Sequence, residues 1–364
     1  LIEEVEQLIY LNRFSDPYFE NLGGDLQEVL DDVIGDENYD IGHLFHQDRN
    51  SGNAGFVGAS CQTGKKGSAY SSGVNPEGAL FDIDYVCHEI GHQMGANHTW
   101  SFQSENTGVQ FEPGSGSTIM AYAGIVEGEN LQEMGDAYFH VGSLMQMQNY
   151  MQNYSCYSDE LIFNNPPEIS TIEDSYIPAL TPFMLTAEAF DADGDALHYS
   201  IEQIDNGIVN AAGFGPLSMS GANFRAQPPK VEPTRYFPNI TRIFTQELTQ
   251  TNPGLNDDWE SLTTINKSMQ FALVVRDENP EQSLQTSSQT TITVDAEKGP
   301  FRILSQTAAQ TFTAGEWVTL VWDVAQTNLP PINTQELEWY LLDSAGIKHT
   351  TAVSNIVPNT GQAE

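Results

Sequence analysis

Basic side chains are scarce: 13 lysines and arginines stand against 50 aspartates and glutamates, a formal charge of -37 over 364 residues. A surface that negative repels phosphate backbones and anionic headgroups, so nucleic acid and the membrane surface are excluded as partners. The deficit runs through the chain, since residues 1–165 alone hold 25 acidic and 4 basic side chains. Two readings of it stay open: a saline or calcium-rich setting, or a heavily solvated surface kept soluble by charge. Long apolar runs are also missing. No stretch approaches the roughly 20 residues that cross a bilayer, which predicts a soluble chain without a membrane anchor. The first residues show neither a basic start nor a small-residue cleavage site, and this does not argue for the cytoplasm. Cysteine is rare. Cys61, Cys87 and Cys156 allow at most one bridge, so no disulfide framework replaces a core, and Cys87 reads as packing or as half of a bridge.

The length suffices for two or three domains. Asn164-Asn165-Pro166-Pro167 marks the best boundary, and before it helix and strand patterns mix. Leu26, Val29, Leu30 and Val33 predict a helix over 25–33, and residues 39–45 read as a strand. Asp82 is the expected N-cap of a helix with Ile83, Val86, Ile90 and Met94 on its inner face. A further helix runs from Val141 to Tyr154, its methionines core rather than ligands. Residues 3–11 read as a helix by periodicity. After Pro166 the period changes to two, as in Met269, Phe271, Leu273 and Val275, and a β domain is expected over 166–297. Its middle, about 206–266, is rich in Pro, Gly and Asn and reads as long loops. A partial Ig-like β module is expected over 299–364, with strands near Val318 to Trp322 and Leu337 to Leu341.

The chemistry is concentrated in His88-Glu89-Ile90-Gly91-His92-Gln93-Met94-Gly95-Ala96-Asn97-His98. On a helix His88 and His92 lie one turn apart on the same face, where both imidazoles reach one tetrahedral zinc. Glu89 lies beside them without ligating, free to take a proton from water acidified by the metal. Gly95 stands where the helix must stop and supplies the left-handed turn that returns His98 as third ligand. Three neutral donors leave an open coordination position, the mark of a catalytic rather than a structural zinc. Chance produces the full pattern in only about one chain of this length in tens of thousands.

This motif resembles that of the metzincin peptidases. With Ser115-Gly116-Ser117-Thr118-Ile119-Met120-Ala121-Tyr122, the wider context is similar to the bacterial secreted reprolysin-like metallopeptidases. The resemblance implies a secreted zinc endopeptidase, an α+β catalytic domain over 1–163, and a Met-turn in which Met120 supports the zinc histidines from beneath. By the same resemblance residues 3–11 are a second strand instead. Tyr122, two residues after the methionine, matches the tyrosine that in astacins and serralysins approaches the zinc and assists catalysis. Thr99 departs from the Asp that follows the third histidine in animal and venom reprolysins. Only 87 residues precede His88, which leads to the expectation of an N-terminally trimmed domain. Residues 54–58, a glycine-flanked apolar stretch, are the candidate sheet edge on which a peptide substrate would lie, or else an ordinary sheet member.

Asp191-Ala192-Asp193-Gly194-Asp195 clusters three carboxylates, a density that suits calcium. Ala196 stands where an EF-hand needs glycine, so a cadherin-like β-domain loop fits better, and a merely solvated acidic turn stays open beside it. The expectation is thus an α+β metzincin-like domain followed by β-sandwich-like modules, with zinc and calcium as cofactors and proteins or peptides as substrates. An adhesive protein with a vestigial protease head, or a metallo-aminopeptidase, are the rivals.

Overall fold

The four apolar residues spaced for a helix near the start form one. Helix α1 (Leu22–Val33) buries Leu26, Val29 and Leu30 and begins three residues before the predicted start. In this computed structural model, residues 5–12, 14–156, 161–306, 310–313, 315–343 and 356–363 are described. They fall into two units, Leu1–Phe163 with Gly254–Asn256, and Asn164–Pro253 with Asp257–Glu364. Val5–Leu8 is a single 3-10 turn, neither the longer helix nor the strand expected, and the residues before it lie outside those described.

In the first unit α1 packs on a three-stranded sheet, Leu26, Leu30 and Tyr39 meeting Leu44. Burying a leucine in this way contributes roughly 1.5–3 kcal/mol. Strand β1 (His43–Gln47) starts later than predicted and runs parallel to β3 (Ala69–Gly73), pairing His43 with Ala69. Strand β2 (Ser51–Asn53) lies antiparallel to β3 on its other side, pairing Gly52 with Ser71. The order β1-β3-β2 makes β2 an edge. Residues 54–58, expected as that edge, instead turn away from the sheet. Positive φ at Gly55 and Gly58 breaks the extension, and the Gly58 N–H is spent on the carbonyl of His92. The edge is therefore the three residues just before it.

The helical segment that carries the histidines starts at Ala79, and Asp82 does not cap it. Gly78 is its N-cap, and a short α2 (Ala79–Phe81) passes into a wide π turn over Asp82–Cys87 and then into α3 (His88–Gln93). Capping is not needed at Asp82 because its N–H already bonds the Gly78 carbonyl at 2.9 Å. Helix α4 (Val141–Met151) follows, with His140 as its N-cap accepting from the Gly142 N–H. Met147 joins Ala96, Ile119 and Met120 in the core beneath α3, and the free, half-buried Cys87 packs there too. The one bridge joins Cys61 to Cys156.

The second unit is built on a four-stranded sheet in the order Ser175–Pro178, Gln285–Asp295, Lys267–Asp277, Leu197–Gln203. The first pair is parallel and the others antiparallel. The middle of Lys267–Asp277 is buried on both faces, Ala272 and Val274 as well as Phe271 and Leu273, while Ser268 and Gln270 at its start are exposed. A second pair, Phe183–Thr186 with Thr234–Phe237, stacks Phe183 on Phe237 at 4.8 Å between centroids. The stretch 206–266 is mostly irregular, as expected, but it is no solvated loop. Val209, Phe214, Phe224 and Trp259 are buried, and it contains the strand Thr234–Phe237 and the helix Ile240–Thr245. Further on, Leu320–Asp323 pairs with Arg302–Ile303 and Gln362–Ala363, around a buried Trp322 whose Nε1 donates to Asn359 at 2.9 Å. Among the described residues no helix is long and apolar enough to cross a membrane.

Candidate metal centre

Helix α3 ends where the sequence demanded. Gly95 takes φ +99°, its N–H bonds the His92 carbonyl, and the Ala96 N–H bonds the carbonyl of Gly91. The C-terminal carbonyls are also satisfied from outside, by the N–H groups of Gly58 on His92 and of Ala59 and Ser60 on Gln93. A helix end held this way leaves little freedom to the chain that turns back toward His98.

The three imidazoles converge, each offering a nitrogen within 4.8 Å of the others. Their far nitrogens are all engaged. Nδ1 of His88 bonds the Ile119 carbonyl at 2.7 Å, Nδ1 of His92 the Ala96 carbonyl at 2.7 Å, and Nδ1 of His98 the Glu105 carboxylate at 2.9 Å. Carbonyl and carboxylate oxygens only accept, so each Nδ1 carries the proton and each Nε2 presents a lone pair. Nε2 of His92 and of His98 stand 3.0 Å apart. Two lone pairs facing one another at that distance repel unless a cation lies against both, and three such donors with fixed tautomers fit a tetrahedral zinc with one position left over. Burial holds all three rings neutral. It lowers His88 to about 3 and His98 to about 2, the neighbouring histidines adding to the effect, and lowers His92 as well.

Glu89 is buried beside this cluster, and desolvation raises its carboxyl to about 7 against one N–H from Ala54. Edge strand β2 makes room for it: a Cβ on Gly52 would lie 2.3 Å from Glu89 Oε1. Met120 is fully buried beneath α3, and a Cβ on Gly91, between the two histidines of the helix, would meet its sulfur at 2.4 Å. The Met120 carbonyl accepts the Thr99 N–H at 3.1 Å, fastening the turn to the residue after His98. Tyr122 lays its ring against His98, 4.5 Å between centroids, and 5.8 Å from His88. Trp100 stacks on the other neighbours, His98 at 5.5 Å and Phe102 at 4.2 Å.

His88, His92, His98, Glu89, Gly95, Met120 and Tyr122 are thus brought together. Asp191, Asp193 and Asp195 belong to the second unit, where their carboxylate oxygens lie within 4.8 Å of one another. Two carboxylates escaped the sequence reading. Glu105 aims His98, and the wholly buried Glu112 accepts from the Thr99 and Thr118 hydroxyls and from the N–H groups of Ser117 and Thr118. Glu112 sets its carboxylate against the Thr99 hydroxyl. No period or spacing flags either residue, because both act from irregular chain.

A sequence model of metallo-peptidase family M12B, reprolysin-like, matches residues 1–151. No curated protein matches the chain. Among solved structures, a chimeric titin Z1Z2 functionalized with a KLER exogenous peptide from decorin aligns over 53% of this chain and 75% of that chain. The identity is 11% and the TM-score 0.18, a likeness too slight to carry an argument.

Proposed function

We propose that this chain, whose residues 1–151 match the M12B reprolysin-like metallopeptidases, is a secreted zinc endopeptidase in which Glu89 moves the proton. The observation that carries the reading is the convergence of three Nε2 lone pairs, each fixed by a bond at Nδ1, beside a buried carboxylate that ligates nothing. Bound zinc supplies Lewis acidity, polarising the scissile carbonyl and making water a stronger acid.

His88, His92 and His98 hold the ion, and Gly95 and Met120 hold the histidines. Glu89 takes a proton from the attacking water onto a carboxylate oxygen and returns it to the departing amine nitrogen, so the peptide C–N bond breaks with no net proton uptake by the chain. The main-chain N–H of Ala54 favours the charged form of Glu89 against the burial that opposes it. Tyr122 presents its phenol to the reacting carbonyl as it gains negative charge. The substrate backbone extends the sheet along β2, whose Gly52 lies against Glu89, so that main-chain bonds deliver the scissile peptide to the carboxylate. The Cys61–Cys156 bridge suits an oxidising compartment and supports secretion. The sheets of the second unit are read as sandwich-like modules that carry the peptidase.

The test is Glu89→Gln, assayed on peptides blocked at both ends. Zinc content stays at the parental level because every ligand remains, while hydrolysis falls on the order of a thousandfold or more. Near-parental cleavage by the variant would remove Glu89 from the mechanism. Cleavage confined to peptides with free N-termini would favour an aminopeptidase, and an inactive zinc-loaded parent the vestigial head.

A further inference from the structure

The acidic turn of the second unit is surrounded by groups that a solvated loop has no use for. Asp191 is 7% exposed, and its Oδ1 accepts the N–H groups of Asp193 and Asp195 at 2.9 and 3.1 Å. Its Oδ2 is buried, and no donor among the described residues reaches it. Asn164, 9% exposed, is in the same position. Its Nδ2 donates to Asp277 Oδ2 at 2.7 Å and to the Gln282 carbonyl at 3.0 Å, which fixes the amide and leaves Oδ1 buried without a donor among the described residues. The next residue, Asn165, reaches Asp193 with its N–H at 2.7 Å and with its side-chain amide at 3.1 Å. Asn279 donates to Asp195 Oδ2 at 3.0 Å and, from its main chain, to the buried Asp277 at 3.4 Å.

Dry oxygens with no donor are costly unless a cation takes their lone pairs, and the cost is greatest for a carboxylate. Among the described residues no lysine or arginine pairs with Asp191, Asp193, Asp195 or Asp277. We propose that these groups form a calcium site, with Asp191 Oδ2, Asp193, Asp195 and Asn164 Oδ1 as ligands and with Asp277 and Asn279 holding them in place. A donor set of carboxylate and amide oxygens gathered from irregular chain suits calcium, which accepts six to eight oxygens in flexible geometry, and disfavours magnesium, which demands a near-ideal octahedron. The ligands come from Asn164 and from 191–195, with Asn165 bonded to Asp193 and the supports drawn from 277–279. The ion therefore fastens the first residues of the unit to two of its loops. This site stands independently of the peptidase reading, since it uses none of the zinc residues.

Calcium titration by calorimetry on the full zinc-loaded chain tests it, with Glu89→Gln present throughout to suppress any self-cleavage and zinc kept saturating. One calcium per chain is expected, with an upward shift in melting that magnesium does not reproduce. Asp191→Asn should abolish uptake. Asp193→Asn, at an exposed position that tolerates substitution, should weaken it at least about tenfold, and the exposed Glu188→Gln should leave it unchanged. Absence of calcium uptake by the parent overturns the proposal. So do equal responses to magnesium, or parental affinity in Asp193→Asn.

Discussion

Of the three Nδ1 atoms that aim the clustered imidazoles, two bond main-chain carbonyls and one bonds a side chain. Only His98 therefore depends on a residue that substitution can remove. A carboxylate on Nδ1 both orients the ring and makes Nε2 more basic, and losing such a partner typically weakens metal binding about 10–100-fold. Glu105→Ala should show that loss in a zinc competition with a chromophoric chelator, and Glu105→Gln, which keeps an acceptor but not the charge, should fall between. Equal affinities for all three forms would make the bond incidental. Tyr122 tests the reaction rather than the metal. Burial, with the nearby Glu105 and Glu89 carboxylates, pushes its phenol up to about 12, so it keeps its proton and can donate. Tyr122→Phe is expected to lower kcat about a hundredfold with KM little changed, the effect of removing one donor aimed at transition-state charge. Unaltered kcat returns the ring to packing against His98. That His88, His92 and Glu89 come together was legible in the sequence because a helix fixes the relation of residue 88 to residue 92. Glu105 was not, because seven residues of irregular chain after His98 fix nothing.

Legibility at the level of elements followed the same physical line. Helix α1 was found from apolar spacing, since it buries one face, whereas of the stripe that suggested α4 Val141 is buried but Met145 is 46% exposed, and the helix ends at Met151 rather than Tyr154. The helix of the site was found but misplaced at its start, because its first turns are wide and its cap is a glycine with no side chain to announce it. Residues 54–58 looked like a strand because apolar residues between glycines carry no sign of positive φ. The strand Lys267–Asp277 showed period two, yet in its middle both faces are buried, one of them against Phe224, Phe237 and Leu262 from a Pro- and Gly-rich stretch whose composition suggested solvent. Glu112 joins two such irregular elements, the segment after His98 and the turn before Met120. Removing its carboxylate strands buried donors on both, so Glu112→Ala should cost about 3–5 kcal/mol in chemical denaturation. Glu112→Gln is the informative variant. The Thr99 and Thr118 hydroxyls can rotate to accept from its amide while the remaining oxygen serves the N–H groups of Ser117 and Thr118, so a loss of only about 1 kcal/mol is expected. If Gln proves as damaging as Ala, the negative charge and not the bonding pattern holds the turn.

For the whole chain the governing fact is how unevenly cross-linking is distributed. All three cysteines precede residue 164, so the second unit, with its own aromatic core around Phe224, Phe237 and Phe271, stands without a bridge. In the first unit Cys61 and Cys156 are 95 residues apart in sequence, and the loop they close contains α3, all three clustered histidines, Met120 and α4. Other ties act at the same place. The Tyr150 hydroxyl on α4 donates to the Ser60 carbonyl at 2.7 Å, and the Ser60 N–H caps α3 through Gln93. Cutting the bridge frees the unfolded chain more than it disturbs the folded one, and for a loop of this length the entropic effect is about 4–5 kcal/mol at most. The double variant Cys61→Ser with Cys156→Ser should therefore lower the unfolding midpoint of the first unit and leave that of the second where it was. Saturating zinc binds only the folded site and should restore part of the loss by mass action. Denaturant curves recorded with and without zinc, followed by Trp100 in the first unit and Trp259 in the second as the only tryptophans left in single-tryptophan versions, separate the outcomes. Equal shifts in both transitions, or none in the first, would show that the bridge does not act through the loop that surrounds the metal centre.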